Sequence, residues 1–387
     1  MPFTIAARHW RLSAWYFCYF AFVGAFAPYF TLYLQSLGLS AAAIGALMSL
    51  MLAMRLVAPN IWGWLADHLG HKVLVVRLAA LLSAAGFALF FLVRGFWGLF
   101  AAMAVVAFFW SAALPLVEAL TLRHLEGRAE YYGRVRLWGS VGFIAAVLAT
   151  GAWLDRAPLS SLLWVNLGLL LTIAVCARML VEAPALLPPR EPPALKNGLL
   201  RGEVLVLLAA SLFMSAAHGP FYVFFSIHLV DYGYQKSAIG ALWSLGVIAE
   251  IGVFIAMPRL IRIWPPRRIL EISFALAIVR FLLIGWAAGV ASLMVLAQLM
   301  HGATFGAFHA AAVAALNHWF PARQQARVQA LYGSASFGAG GMIGNFVSGA
   351  AWENFGPGLT FSLGSVFAAI GLAITWRGMS SEHVRGR

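Results

Sequence analysis

Long apolar stretches recur along almost the whole chain and limit what it can fold into. Hydrophobic residues make up 63% of the 387 residues and charged residues only 10%, whereas soluble domains carry roughly 25% charged residues. Crossing the hydrocarbon core of a bilayer takes about 20 apolar residues. In lipid every backbone polar group needs an internal partner, which favours helices. The sequence therefore predicts an all-α membrane protein with twelve transmembrane helices.

The twelve predicted spans fall into two groups of six. They cover residues 12–35, 41–66, 73–93, 97–122, 136–154 and 160–181, then 204–230, 238–258, 269–288, 290–316, 328–351 and 358–376. A polar, proline-rich stretch separates the two groups, and its prolines suit an extended linker. We therefore predict an N-terminal six-helix bundle at 1–182, a cytoplasmic linker at 183–202 and a C-terminal six-helix bundle at 203–387.

A short repeat indicates that the two bundles are related to each other. The octapeptide AIGALMSL (43–50) recurs as AIGALWSL (238–245), and both copies open an even-numbered span. Two pseudo-symmetric halves around a site in the middle of the membrane are typical of secondary transporters. Alternating access, in which the site is exposed to each side in turn, is the expected mechanism.

The cations are unevenly distributed between the two sides of the predicted membrane. The formal net charge is +13, and twenty of the 26 Lys and Arg residues lie in segments on the side of the N-terminus, against three in the opposite loops. Cytoplasmic loops of membrane proteins carry this excess. It predicts a multi-pass protein of the inner (cytoplasmic) membrane with both termini in the cytoplasm. The basic excess serves topology and contact with anionic lipid, and we predict no nucleic-acid partner.

Motifs for membrane enzymes are missing from the sequence. It contains no H-E-x-x-H, no C-x-x-C and no G-x-x-x-x-G-K-[ST] motif. The two cysteines, Cys18 and Cys176, lie in apolar runs, which is typical of buried thiols rather than of a metal site. We predict that the protein is not an enzyme and uses no cofactor or metal. A channel or a receptor stays open as an alternative at this point.

The loop between the second and third spans reads GWLADHLGHKVL (63–74). It is similar to the G-x-L-A-D-R-x-G-R-R/K signature of the major facilitator superfamily. In that family the loop is pinned to neighbouring helices and helps to latch the closed state. The resemblance implies the major facilitator fold for the chain and a conformational latch at Gly63, Asp67, Gly70 and Lys72. Members of the family usually act as monomers, which is what we expect here.

The stretch PLVEALTLRHLEGRAEYYGRVRLWGSVGF (115–143) narrows the resemblance. It looks like the fourth and fifth helices of the oligosaccharide and nucleoside proton symporter branch, which includes lactose-permease-like proteins. A Glu and an Arg hold the sugar there, which implies substrate binding by Glu118 and Arg136. We expect Glu118 to pair with Arg136 until substrate arrives. The stretches VRLWGSV (135–141) and LMHGATFG (299–306) resemble the 3-phenylpropionate transporter branch.

Glu250, Arg280 and His301 lie deep within predicted spans of the C-terminal half. Lactose-permease-like proteins have an arginine and a histidine at the positions matching Arg280 and His301, which implies substrate binding by both. Their proton-carrying carboxylate is replaced here by Thr304, and Gln298 stands where a buried lysine would be. We therefore predict that Glu250 takes up the coupled proton, shared with His301, and that Arg280 and His301 are its partners. A purely structural Glu–Arg bridge is the open alternative.

The charges within the spans predict the class of substrate. The charges set against each other there are three arginines, Arg55, Arg136 and Arg280, and two glutamates, Glu118 and Glu250, and an anionic substrate would neutralise the excess positive charge. Tyr19, Phe20, Tyr222 and Trp243 are the aromatic residues predicted to contact it. We expect proton-coupled symport of a small aromatic carboxylate such as 3-phenylpropionate. Symport of a sugar or a nucleoside is the alternative, since Glu118 and Arg136 alone would suit a sugar.

A stripe of small residues marks the predicted eleventh span. Ser336, Gly340, Gly344 and Ser348 recur at four-residue intervals, and such a stripe lets two helices approach closely. We expect it to form a sliding interface between the two halves.

Overall fold

The computed structural model describes residues 9–125, 128, 131–183 and 201–379. The predicted linker, apart from its first and last residues, and both chain ends lie outside the described residues. Every regular element in the described part is helical, as predicted. The α-helices are α1 Trp10–Ser36, α2 Ala41–Leu69, α3 Lys72–Ala88, α4 Phe96–His124, α5 Tyr132–Leu154, α6 Ser161–Met179, α7 Gly202–Ala217, α8 Gly219–Asp231, α9 Lys236–Ile263, α10 Pro266–Trp286, α11 Ala291–His301, α12 Phe308–Trp319, α13 Ala322–Gly333 and α14 Gly341–Gly378.

Three short elements complete the helical path of the described chain. Leu89–Phe91 forms a 3₁₀ turn after α3, Gly302–Ala307 forms a π-helical segment between α11 and α12, and Ser334–Gly340 forms another between α13 and α14. A π-helical segment inserts an additional residue into a helix and is found frequently at functional sites. The first of these segments directly follows His301.

Eleven helical segments of the described chain are long and apolar enough to cross a membrane. The last of them, Arg327–Gly378, contains both of the final two predicted spans. Gly356 interrupts its helical geometry with a φ of 77° and a ψ of 179°, and Pro357 follows. The multi-pass membrane architecture is therefore confirmed, whereas the count of twelve stays a prediction.

The described residues group into two compact units. Unit 1 comprises residues of Met1–Leu187 together with Tyr234–Ser244, and unit 2 comprises residues of Pro188–Gly233 and Leu245–Arg387. The first turns of α9 thus belong to unit 1, while the rest of that helix belongs to unit 2.

Helix α1 is the centre of unit 1 because its neighbours cover it from several sides. Its aromatic side chains pack in series, with ring centroids 5.3 Å apart for Phe22 and Phe26 and 4.3 Å apart for Phe26 and Phe30. Against α5 the approach is backbone to backbone, since a Cβ atom on Gly142 would collide with the carbonyl oxygen of Phe17. This contact fixes the register of α1 against α5, and with it the side chains described below.

In unit 2 the stripe of small residues packs against α7. A Cβ atom on Gly344 would collide with the carbonyl oxygen of Ala216, and one on Gly340 with that of Leu212. The Ser336 hydroxyl lies 2.7 Å from the Ser215 hydroxyl. The stripe is therefore a close contact between helices of one unit. The predicted sliding interface between the two halves is wrong for these residues.

The start of α9 is capped by a side chain from the end of α5. The Asp155 carboxylate accepts hydrogen bonds from the backbone N–H groups of Lys236, at 2.7 Å, and Ser237, at 3.1 Å. Tyr29 shares its hydroxyl proton between the carbonyl oxygens of Val147 and Lys236, at 2.8 and 3.1 Å. Slight burial alone would raise the pKa of Asp155, but the hydrogen bonds from Ser237 and Lys236 and the Lys236 charge hold it below its ordinary value.

We predict that Asp155→Ala lowers the Tm of the protein in detergent by about 2–4 °C at neutral pH, since the loss of a helix N-cap costs about 1 kcal/mol. A carboxylate with a depressed pKa stabilises the folded state above its unfolded pKa, and this contribution is lost as the pH falls through the folded-state pKa. The Tm difference between wild type and variant should therefore shrink below about pH 3.9. Arg156→Ala, at the next, exposed position, is the control and should leave Tm unchanged.

Candidate functional site

In unit 1 a guanidinium lies on aromatic rings at the start of α5. The Cζ atom of Arg136 is 3.9 Å from the ring centroid of Phe20 and 5.6 Å from that of Tyr16, both on α1. A guanidinium over a ring face is attracted by the ring quadrupole, by up to about 2 kcal/mol when it is desolvated. Arg136 is half-buried. Aromatic rings therefore stabilise this cation within the predicted span.

The predicted ion pair between Glu118 and Arg136 is not formed. Glu118, on α4, accepts a hydrogen bond from the hydroxyl of Tyr132 at 3.3 Å, and no ion pair of Arg136 occurs among the described residues. Tyr132 begins α5 one turn before Arg136, so both side chains share one face of the helix. We name Phe20, Glu118, Tyr132 and Arg136, with Tyr16, the unit 1 cluster.

The tyrosine predicted to contact substrate on α1 is packed between tryptophans. The ring of Tyr19 stacks on Trp110 of α4 at 4.0 Å with an interplanar angle of 9°, and on Trp15 at 4.9 Å. Tyr19 is only 3% exposed. Its ring also meets Phe20 edge to face at 5.1 Å. Tyr19 thus supports the wall that carries Phe20, and Trp110 is a member of that wall which the sequence did not reveal.

The residues of the predicted latch lie in the last two turns of α2, in the turn that follows, and at the start of α3. Lys72 Nζ lies 3.0 Å from Asp67 Oδ1, and Gly70 ends α2 with a φ of 69°. The Glu182 carboxylate accepts hydrogen bonds from the backbone N–H groups of Lys72 and Val73 and so caps α3. A Cβ atom on Gly63 would meet nothing within 4 Å. Glu182, which follows the end of α6, therefore fixes the start of α3 in place.

In unit 2 a carboxylate and an imidazole meet between α9 and α11. Glu250 Oε1 lies 2.7 Å from His301 Nε2, and both side chains are largely buried. His301 also stacks on Phe305, with centroids 5.5 Å apart. The sequence had predicted His301 as a partner of Glu250. At this distance the Glu250 carboxylate and the His301 imidazole can share one proton, and the pair can also release that proton.

Arg280 on α10 is the most enclosed charge of the described chain. It is 0% exposed, its Nε donates to the carbonyl oxygen of Ala297 at 2.9 Å, and its Nη1 donates to the hydroxyl of Thr304 at 3.3 Å. Its Cζ lies 4.3 Å from the ring centroid of Phe221 and 5.3 Å from that of Phe281. The predicted direct contact with Glu250 is not formed, because carbonyl, hydroxyl and ring groups surround the guanidinium instead. We name Phe221, Glu250, Arg280, His301 and Thr304 the unit 2 cluster.

The local helix geometry explains how this cluster assembles. His301 ends α11, and the π-helical segment Gly302–Ala307 places Thr304 beside Arg280. The Thr304 hydroxyl also lies 3.5 Å from Nε2 of the fully buried His218, at the junction of α7 and α8. Sequence reasoning treated Thr304 as the loss of a carboxylate. The structure shows that it binds the buried arginine.

The remaining two predicted aromatic residues lie in different units. Tyr222 is on α8, where its ring packs 5.4 Å from Phe221 and 6.1 Å from His218. Trp243 is buried and lies in the part of α9 that belongs to unit 1. The structure therefore brings Tyr222 next to the unit 2 cluster and assigns Trp243 to unit 1.

Comparisons with known proteins agree with this architecture. The model of the MFS_1 like family matches residues 9–363. The chain is 29% identical over 381 residues to the maltose permease of Geobacillus stearothermophilus, covering 95% of this chain and 94% of that one. It is also 29% identical over 378 residues to the "Probable 3-phenylpropionic acid transporter" of Escherichia coli strain K12, covering 92% and 94%. A crystal structure of a variant of the nucleoside transporter NupG superposes with a TM-score of 0.82 at 17% identity, covering 95% and 97%, which shows the same fold.

We predict that Gly139→Ala disrupts the unit 1 cluster without unfolding the chain. A Cβ atom there would lie 2.7 Å from Phe20 Cδ2 and 2.8 Å from Arg136 Nη1, so both side chains must leave their places. Binding of the solute that the wild type binds, among 3-phenylpropionate and maltose, should weaken at least about tenfold, which is about 1.4 kcal/mol. Ligand-induced shifts of Tm in the purified protein measure it.

The matched control is Gly133→Ala on the same helix, where a Cβ atom meets nothing within 4 Å. Its binding should equal that of the wild type. Unchanged binding in Gly139→Ala, with a normal Tm of the free protein, would show that the unit 1 cluster does not contact the ligand.

Proposed function

The chain belongs to the MFS_1 like family of major facilitator transporters, and we propose that it is a proton-coupled symporter of small aromatic carboxylates such as 3-phenylpropionate. It is a multi-pass membrane transporter, and its relatives are transporters rather than enzymes. The Escherichia coli relative supports a place in the inner membrane. The proposed arrangement has both termini in the cytoplasm and the monomer as the working form. Alternating access moves the substrate across the bilayer.

The observation that carries the proposal is the enclosure of Arg280. An ionised group near the centre of a bilayer costs about 2.5–3.5 kcal/mol on insertion scales, and no carboxylate forms an ion pair with this arginine among the described residues. Phe221 and Phe281 lie against its guanidinium. A cation enclosed by rings is suited to a ligand that brings a negative charge and an apolar ring together.

The unit 1 cluster supports the same class of ligand. Arg136 lies on the ring of Phe20, so each unit presents one arginine against aromatic side chains. Glu118 and Glu250 are engaged elsewhere, Glu118 with Tyr132 and Glu250 with His301. Among the described residues neither glutamate forms an ion pair with Arg136 or Arg280, which leaves the neutralisation of these arginines to the substrate.

The proton is assigned to the contact between Glu250 and His301. A proton that arrives on this pair cancels the charge of the carboxylate and changes its attraction to the imidazole and to Arg280. Binding of an anion near Arg280 would then depend on whether the pair holds the proton, which couples the two events.

A sugar or nucleoside is the second candidate class of substrate. The maltose permease relative and the shared fold with NupG favour it, and so does the Tyr132 hydroxyl on the Glu118 carboxylate, since such a pair can bind hydroxyl groups. Counterflow of labelled 3-phenylpropionate, maltose and uridine in proteoliposomes separates the classes. A channel or receptor would show no counterflow with any of them.

We predict that Glu250→Gln loses proton-driven accumulation of 3-phenylpropionate while it retains counterflow, because exchange needs no net proton movement. Uptake by proteoliposomes under an inward proton gradient measures accumulation. Glu271→Gln is the matched control, since Glu271 is a carboxylate of unit 2 that pairs with Arg267 at 2.8 Å near the start of α10. The control should accumulate substrate as the wild type does. Accumulation at wild-type level in Glu250→Gln would remove Glu250 from the coupling.

A second prediction concerns the charge of Arg280. Arg280→Gln should reduce the affinity for 3-phenylpropionate at least about tenfold, whereas affinity for maltose, if it is measurable, should change little. Direct binding to the purified protein is the measurement. Loss of sugar binding with retained acid binding would reverse the preferred class of substrate.

A further inference from the structure

Next to Glu250 and His301, unit 2 contains buried polar atoms that have no hydrogen-bond partner. Among the described side chains they include both atoms of the Gln298 amide, Nδ1 of His301 and Nη2 of Arg280. Gln298 and Arg280 are both 0% exposed, and His301 is 5% exposed. Buried polar groups are normally hydrogen-bonded, and each exception asks for an explanation. Four such atoms on three neighbouring side chains point to a binding site rather than to a packing defect.

The helix geometry places these side chains together. The buried face of α11 consists of Met294, Ala297, Gln298 and His301, spaced as one stripe of an α-helix. Arg280 reaches this stripe from α10 through its hydrogen bond to the carbonyl oxygen of Ala297. Gln298 therefore lies one turn before His301, beside the point where the guanidinium meets α11.

A glycine on α9 packs closely against both side chains. A Cβ atom on Gly246 would lie 3.2 Å from Gln298 Oε1 and 3.1 Å from His301 Cδ2. Gly246 precedes Glu250 by one turn of α9, as Gln298 precedes His301 on α11. Gly246 and Gln298 thus face each other one helical turn away from the contact of Glu250 with His301. Any side chain larger than glycine at position 246 would press on the Gln298 amide.

The unpartnered atoms define what a ligand must supply. Arg280 Nη2 and Gln298 Nε2 are donors, and Gln298 Oε1 is an acceptor. His301 Nε2 faces the Glu250 carboxylate, which assigns the ring proton to Nε2 in the neutral imidazole and leaves Nδ1 as an acceptor. A carboxylate supplies acceptors only, whereas a hydroxyl supplies a donor and an acceptor at once. A ligand that carries a carboxylate and a hydroxyl therefore supplies acceptors for the donors of Arg280 and Gln298 and a donor for one of the two acceptors.

We propose that Gln298 binds a hydroxyl group of the transported solute while the neighbouring Arg280 binds its carboxylate, so that the preferred substrates are hydroxyl-bearing aromatic carboxylates. This inference rests on the proposed function and names a specificity-determining residue for it. A site built to hydrogen-bond a hydroxyl discriminates strongly against an analogue that lacks it, because its buried polar groups then stay unpaired. In this arrangement the Gln298 amide forms hydrogen bonds with the hydroxyl, and the Arg280 guanidinium binds the carboxylate.

The test compares 3-phenylpropionate with 3-(3-hydroxyphenyl)propionate. Their dissociation constants are measured by calorimetry on the purified full chain, in wild type and in Gln298→Leu. Wild type should bind the hydroxylated acid at least about tenfold more tightly, and in Gln298→Leu the ratio should fall to about one, because leucine offers neither donor nor acceptor. Asn166→Leu is the control, since it removes a buried amide of unit 1, and it should keep the wild-type ratio.

Gly246→Ala is the second variant and covers a failure of Gln298→Leu to fold. The added methyl group narrows the space at Gln298, so the hydroxylated acid should lose more affinity than 3-phenylpropionate. An equal ratio for the two acids in wild type and in both variants would overturn the role of Gln298 and leave the proposed function standing. Binding of maltose or uridine but of neither acid, weakened by Gln298→Leu, would overturn the acid as substrate and keep the hydroxyl contact. No binding of any of the four solutes would overturn both.

Discussion

The cost of holding a cation in an apolar helix bundle is the constraint on which the rest of this structure depends. A guanidinium cannot lose its proton at physiological pH, so the fold must supply groups that replace water around it. The structure does so with aromatic rings and backbone oxygen, as shown by Phe221 and the carbonyl of Ala297 around Arg280. Rings stabilise the charge without cancelling it. The positive potential therefore remains available to a ligand, which would not be so if a fixed carboxylate were bound to it.

Because rings rather than a carboxylate surround Arg280, the group proposed to take up the proton is separate from the group proposed to bind the anion. Glu250 lies against His301 and not against Arg280, so a carboxylate that can change its protonation stands next to an imidazole, and the permanent cation stands apart. Glu118 lies against a tyrosine hydroxyl in unit 1. In both units an arginine, Arg136 or Arg280, lies on aromatic rings. The nearby glutamate contacts a tyrosine hydroxyl in unit 1 and an imidazole in unit 2. This shared arrangement agrees with the short sequence repeat between the two halves.

Much of the fold could be predicted from hydropathy, because the length of an apolar stretch sets whether it can cross a bilayer. The contact of Glu250 with His301 could also be predicted, since both lie deep in predicted spans of the same half. The contact of Glu118 with Arg136 could not, because the depth of two residues does not tell which way their side chains rotate, and Tyr132 occupies the position that faces Glu118. Gln298 was seen only as a substitution for lysine. The lack of partners for its amide is a property of the packed helices and is invisible in the residue pattern.

The stripe of small residues in the predicted eleventh span shows a similar limit of a sequence pattern. The pattern correctly indicates a close helix contact, but a pattern on one helix contains no information about which helix it meets. The carbonyl groups of Leu212 and Ala216 on α7 receive it.

The π-helical segment after His301 sets two registers on one continuous helix. Before it, the face of α11 that includes Gln298 and His301 contacts the polar groups of the cluster. After it, Phe308 and Ala311 on α12 return to apolar packing, with Phe308 meeting Phe274 edge to face. Removing one residue between Gly302 and Ala307 would restore an ordinary α-helix there and turn one half by about 100° against the other. Such a variant could align either the apolar face of α12 or the polar side chains of α11 with their partners, but not both.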